Sequence, residues 1–269
     1  MSRSVRPAAV AGTFYTADPV MLDQELRDLL AAAAQPPPGL QPKALIVPHA
    51  GYLYSGGVAA SAYASLRPVA ARVERVVLLG PTHRIPVRGL AVPTATAFAT
   101  PLGTVPVDDE ALTAIADLAQ VVTNNSAHAW EHSLEVQLPF LQQVLGSFRL
   151  VPLAVGDASA EEVAEVIERL WGGDETLIVV SSDLSHFHPH AEARRIDGAT
   201  LRRIVSLDGG IRHEQACGAT PLNGFLIAAR RHGLSAHLLD ACNSGDTAGD
   251  QLRVVGYAAI AFSGAHDGQ

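Results

Sequence analysis

The sequence predicts an α/β fold: a single domain in which helices flank a mostly parallel central sheet. Three observations predict it. Apolar, β-branched runs of strand length recur along the chain. Amphipathic helical patterns lie between them. Residues of metal-ligand or acid–base type stand just past four of the runs, where the carboxyl ends of parallel strands would bring them to one side.

The expected strands are residues 44–47, 75–79, 150–155, 177–180, 236–239 and 254–262. They are apolar at consecutive rather than alternate positions, the pattern of strands covered on both faces. Asp18-Pro19 opens a helix that runs to about Ala34, where Gln35-Pro-Pro-Pro-Gly39 stops it. Leu134, Leu138, Leu141 and Leu145 form one helical stripe, starting near His132, and Val163, Val166, Ile167 and Leu170 form another. Residues 89–107 are rich in proline and threonine, lack a helical period and read as an extended, hairpin-like excursion. With no long linker and no internal repeat, residues 1–269 form one domain with its core at about 5–263, and the tail from Gly264 reads as loose.

Composition narrows the function. A chain of 269 residues that is 48% hydrophobic and 17% charged builds a sizeable core rather than a disordered segment. Its formal net charge is -8 and its Lys and Arg are nowhere clustered, which argues against a nucleic-acid groove. The apolar runs fall short of the ~18 residues of a membrane span. Arg3 and Arg6 precede no apolar segment of signal-peptide length. Two cysteines, Cys217 and Cys242, are too few for a disulfide framework. The expectation is a cytoplasmic protein that binds neither membrane nor nucleic acid.

Four strand ends carry the chemistry. The run to Pro48 is followed by His49, the run to Pro81 by Thr82-His83, the run to Val180 by Ser181-Ser-Asp183-Leu-Ser-His186, and the run to Asp240 by Ala-Cys242. Neutral imidazoles at His49 and His83 and a thiolate at Cys242 would hold one metal ion and leave coordination positions open. Asp183 and His186, three apart, would share the first turn of a helix; His132 and Glu135 have the same spacing. His186 and His132 are therefore candidate acid–base groups, with Asp183 to orient His186. Cys217 reads as a small buried hydrophobe, and His188 and His190 as solvated residues at a helix start. No Gly-x-Gly-x-x-Gly or phosphate-loop pattern supports a nucleotide. Which metal sits at such a site stays open: iron, copper and zinc all suit this donor set.

Six ordered motifs then carry a resemblance: Val10-Ala-Gly-Thr-Phe-Tyr15, Pro48-His-Ala-Gly-Tyr52, Leu79-Gly-Pro-Thr-His83, Glu131-His-Ser-Leu-Glu135, Ser181-Ser-Asp-Leu-Ser-His186 and Cys242-Asn-Ser-Gly-Asp246. The chain resembles the Memo family, known in microbes as the B component of the AmmeMemoRadiSam system. The resemblance implies a fold related to the class III extradiol (LigB-type) dioxygenases, non-haem iron enzymes with a two-His-one-Glu site. It implies that His49, His83 and Cys242 occupy the ligand positions, that His186 matches the dioxygenase acid–base histidine, and that His132 matches a further pocket histidine. It also implies links to iron and copper, to redox chemistry and, in animals, to phosphorylated peptides. Possible pathway partners are a radical SAM protein and an AMMECR1-like protein.

Two functions compete. One is a non-haem iron or copper redox enzyme acting on a small molecule, with one transition-metal ion, iron foremost, as cofactor. The other is a non-catalytic metal carrier or peptide-binding adapter with a degenerate dioxygenase-like pocket. Zinc-assisted hydrolysis is a third possibility on the same ligands.

Overall fold

The structure, a computed structural model, describes residues 4–264; of the tail expected to be loose, Gly264 closes the last strand and 265–269, like 1–3, lie outside the described residues. In chain order the elements are β1 (Val5–Arg6), α1 (Pro19–Ala32), β2 (Ala44–Val47), α2 (Tyr52–Ala64), β3 (Arg75–Pro81), β4 (Leu90–Val92), β5 (Ala97–Thr100) and β6 (Gly103–Pro106). Then come α3 (Asp109–Ala114), β7 (Val121–Thr123), α4 (Asn125–Ala129), α5 (His132–Glu135), α6 (Leu138–Leu145), β8 (Arg149–Val155), α7 (Ala160–Arg169) and β9 (Thr176–Ser181). The rest are β10 (His186–His188), α8 (His190–Val205), α9 (Ala219–Arg231), β11 (Leu234–Asn243) and β12 (Val254–Gly264).

All six expected strands form; two cores explain the unbroken apolar runs of the central ones, whereas β11, with Leu238 exposed, is not buried on both faces as expected. Leu45, Val47, Val76, Leu78 and Val179 enter one core with residues of α1, α2 and α6. Ala44, Ile46, Val77, Leu79, Ile178 and Val180 enter the other with residues of α7 and α9. Successive side chains of a strand point to opposite faces, so a strand covered on both must be apolar throughout.

The sheet is parallel in its middle and antiparallel toward its edges. β2, β9, β3 and β8 run parallel in that order. β4 joins β8 antiparallel, and β12 joins β2 antiparallel. β12 carries β11 on one edge and both β2 and β10 on the other. The expectation of a mostly parallel sheet therefore holds for the four central strands. β11 and β12 follow one another through a short connection, which joins neighbours only antiparallel.

Two local expectations change. The stripe from Leu134 to Leu145 is not one helix but α5 and α6, because Pro139 has no N–H for the Glu135 carbonyl and its ring would clash there. Residues 182–185 are extended rather than helical and lead into β10, so Asp183 and His186 do not share a helical face. The 89–107 excursion does contain a hairpin: β5 and β6 pair antiparallel, and β1 adds parallel to β5 as a small second sheet. No helix among the described residues is long and apolar enough to cross a membrane.

Candidate metal centre

The parallel order of β2, β9 and β3 decides which residues meet. Val47 lies opposite Ser181, and Leu79 opposite Val180, so the three strands end level and His49, Ser181–Asp183 and His83 emerge together.

His49 is buried, and its backbone N–H donates to Asp183 Oδ1 at 2.7 Å. Its Nδ1 lies 2.9 Å from Ser181 Oγ. The Ser181 hydroxyl gives its proton to the Ser133 carbonyl at 2.6 Å and accepts from Gln137 Nε2 at 2.8 Å. Gln137 is itself oriented, since Tyr63 donates to its Oε1 and its amide donates to the Pro48 carbonyl. Ser181 can therefore only accept from His49, which assigns the proton to Nδ1 and the lone pair to Nε2. Burial, with His132 and His83 nearby, keeps this imidazole neutral far below the usual histidine range.

His83 is held by Glu131. Its backbone N–H donates to Oε2 at 2.6 Å and its Nδ1 lies 2.8 Å from Oε1. Glu131 caps the N-terminus of α5 and also accepts from Ser133 N at 2.9 Å. Burial pushes this carboxyl up, but the hydrogen bonds from His83 and Ser133 more than offset it and hold it at about 2. A carboxylate accepts only, so His83 carries a proton on Nδ1 and turns Nε2 away from Glu131. His132, the first residue of α5, turns Nδ1 to 3.4 Å from Glu131 Oε1. Burial and then His83 lower its pKa to about 4, so it too is neutral. β3 can approach α5 this closely because residue 80 is glycine: a Cβ there would lie 2.7 Å from Ser133 Oγ. One ligand atom each from His49, His83 and His132 lies within 4.8 Å of the other two. The rings of His83 and His132 stack at 4.5 Å, and that of His49 meets each edge-on.

His186 stands beside this group. Its Nδ1 lies 2.9 Å from the Leu184 carbonyl and must donate, leaving Nε2 as a free base; burial and then His83 lower its pKa. Asp183 does not orient it. The Asp183 carboxyl is buried on the His49 backbone N–H, and burial raises its pKa to about 7. The register of β10 against β12 slips between His186 and His188, and Phe187 takes a φ of 64°. An aromatic residue in that left-handed region costs roughly 1–2 kcal/mol. The slip turns the Phe187 ring to solvent under the Arg253 guanidinium, 5.0 Å from its centroid.

The two cysteines lie apart from each other in role. Cys217 Sγ is 3.2 Å from His49 Nε2 and accepts from Asp183 N at 3.3 Å. Burial, then the Asp183 charge, pushes this thiol up to about 12. With His83, Asp157, His213 and Thr220 it lines a cavity of about 360 Å³. Cys242 lies opposite Tyr257 on β11, and β12 separates β11 from β2. Its backbone thus starts two strand spacings, about 10 Å, from the strand that delivers His49. It lines a separate cavity of about 400 Å³ with Arg194, Asp197 and Asp246, and burial, then Asp240 and Asp246, raises its thiol to about 11.

Sequence reasoning thus placed His49, His83, His132 and His186 at one site and missed Cys217, Glu131, Ser181 and Gln137. A signal for Cys217 was present in the glycine after it. A Cβ at Gly218 would lie 2.6 Å from Ser182 Cβ, so residue 218 must be bare for the 216–218 loop to reach the end of β9. Glu131 carried one as well, as the residue before a candidate histidine and at the start of a helix. Three imidazoles that each bring a ring nitrogen to one point suit a transition-metal ion, and three protein ligands leave positions free for water or substrate.

The Memo-like protein family model matches residues 6–261. Among curated proteins, a MEMO1 family protein of Sulfolobus acidocaldarius is 36% identical, covering 96% of this chain and 99% of its own. Another from Ignicoccus hospitalis is 39% identical over 96% of this chain and 98% of its own, and one from Aquifex aeolicus 37% over 96% and 99%. Among solved structures, the uncharacterized protein JW3007 from Escherichia coli K12 superposes with a TM-score of 0.51 at 14% identity, covering 81% of this chain and 98% of that one. That similarity is one of fold.

Proposed function

The chain belongs to the Memo family, and on that premise we propose that it binds one transition-metal ion at His49, His83 and His132 and acts as a redox enzyme on a small molecule. Iron is the first choice of metal, with copper or zinc as alternatives. The observation that carries the reading is the approach of three ligand atoms to within 4.8 Å, with the Nε2 atoms of His49 and His83 left free by their hydrogen bonds. Thiolate ligation by Cys242, which the family resemblance implies, belongs to the same proposal; its side chain would have to come in from β11.

A bound iron or copper ion supplies Lewis acidity and one-electron chemistry. This chain's residues supply the rest. His186 Nε2 is a free base and takes a proton from a substrate hydroxyl or thiol. Asp183 and Ser181 hold the His49 backbone and ring in place. The cavity beside His83 and Cys217 admits a ligand of small-molecule size. A second reading, a carrier or peptide adapter, is favoured by one observation: Trp130 and Phe187, next to Glu131 and His186, are 67% and 61% exposed.

Elemental analysis of anaerobically purified protein tests the metal, with about one equivalent expected per chain and none in the His83→Ala variant. Oxygen consumption by iron-loaded protein with a panel of catechols separates the readings. Stoichiometric iron without turnover of any substrate favours the carrier, and absence of metal from the wild type removes both.

A further inference from the structure

Glu131 makes more contacts than its place in the chain requires. As the residue that caps α5 it needs to accept one backbone N–H, and Ser133 supplies that at 2.9 Å. The same buried carboxylate takes the His83 N–H on Oε2 and the His83 ring on Oε1, and Oε1 lies 3.4 Å from His132 Nδ1. One carboxylate thus lies against two of the three imidazoles, hydrogen-bonded to His83 and 3.4 Å from His132 Nδ1. The third, His49, is served by the neutral Ser181 hydroxyl, whose own proton is spent on the Ser133 carbonyl.

We propose that Glu131 is a shared positioning residue of the metal centre, which fixes His83 and His132 with Nδ1–H outward and Nε2 inward and lends both a negative charge that His49 lacks. The inference rests on the metal reading given above. A carboxylate behind an imidazole fixes its tautomer and raises the basicity of the ligating nitrogen, and loss of such a partner typically lowers metal affinity 10–100-fold. Shared between two rings, the carboxylate makes the three ligands unequal. His83 and His132 form the anchored pair. His49, with a neutral partner and the Cys217 thiol 3.2 Å from its Nε2, is the arm that yields first to an incoming ligand.

The test uses the full-length protein and Glu131→Gln, which keeps an acceptor for the Ser133 N–H and removes the charge. Long-range proton–nitrogen NMR on the metal-free protein reads each histidine tautomer. In the wild type, His83 is expected as the Nδ1–H form. In Glu131→Gln, the His83 ring is expected to lose its strict Nδ1–H preference while His49, held by Ser181, keeps its own, a pattern that loss of a helix cap alone would not give. Cobalt(II) titration, followed by its visible absorption, is expected to show affinity 10–100-fold weaker in the variant. If Glu131→Gln fails to fold, Glu131→Asp replaces it: charge and cap stay, the reach shortens, and the His83 tautomer and the cobalt affinity should shift in the same direction by less. A wild-type His83 protonated on Nε2 only, or a folded variant whose His83 tautomer and cobalt affinity match the wild type, overturns the inference and leaves the metal reading intact. A wild type that binds no cobalt, iron or zinc overturns the metal reading and this inference with it.

Discussion

Removing the Cys217 thiol should tighten metal binding rather than weaken it. His49 Nδ1 is committed as a donor to Ser181, so the only atom on Nε2 that the thiol can engage is the lone pair, and at 3.2 Å the S–H donates to it. A metal ion needs that same lone pair, so binding must first break the S–H···N contact. A typical intramolecular hydrogen bond contributes a net 0.5–1.5 kcal/mol, and about 1.4 kcal/mol corresponds to tenfold in an equilibrium constant. Cys217→Ala should therefore raise the affinity roughly 2–10-fold. The metal-free protein should lose stability at the same time, because His49 Nε2 is left buried without a partner, a defect of about 1–3 kcal/mol. The assay is anaerobic competition against a chromophoric chelator for both proteins, with thermal melts of the metal-free forms. Affinity that drops tenfold or more in Cys217→Ala would show the thiol to be a ligand and refute the competition argument.

Three further outcomes follow from the same geometry. His186→Ala should retain the metal within a few-fold, since its Nε2 is outside the three-histidine group; a variant that purifies folded but metal-free would make it a ligand. In the metal-free protein, His49, His128 and His132 are held neutral below the usual 6.5, so the unfolded chain binds protons that the fold refuses. Their stability is present above pH 6.5 and lost as the pH falls toward 4, at up to about 1.4 kcal/mol per pH unit for each. Asp183, raised to about 7, opposes this, as do Asp197 and Glu25, whose carboxyls burial also pushes up. Denaturant midpoints between pH 7 and 4.5 should thus fall, and fall less steeply in His128→Gln, where a flat profile in the wild type would contradict the burial argument. Gly224→Ala should cost about 1–3 kcal/mol or more, because its Cβ would lie 2.4 Å from Val163 Cβ where α9 crosses α7. Gly57→Ala, with nothing within 4 Å, should instead be neutral or gain up to ~1 kcal/mol, and equal urea midpoints for the two variants would refute the packing account.

The legible part of the fold was the part governed by one-dimensional pattern. Residues 44–47 and 176–181 are strands because both faces are buried, and an unbroken apolar run can hardly be anything else at that length. His49 and His83 were legible for the same reason, as polar residues at the ends of such runs. What was not legible depends on which strands become neighbours. Nothing in the run at 254–262 says that it enters between β11 and β2, and that placement is what sets Cys242 two strands from His49. Cys217 was set aside as a buried hydrophobe, and its thiol is indeed buried, but burial here is against an imidazole nitrogen, a distinction that no local pattern carries. The spacing of His132 and Glu135 suggested a pair; Glu135 instead faces away, binding Arg6, the Tyr15 hydroxyl and the backbone of Ala9 and Val10.

The position of β12 has a consequence for how the protein is made. β12 is the last strand of the described chain, yet it lies inside the sheet, with β11 on one edge and β2 and β10 on the other. On the ribosome, β2 emerges more than 200 residues ahead of it and must wait with one edge unpaired. His49 follows directly on β2 and is exposed for the same interval. The nascent chain therefore holds a half-built site until β12 has emerged, and a chain stopped before Val254 would present an open strand edge to proteases and to other unfinished copies of itself.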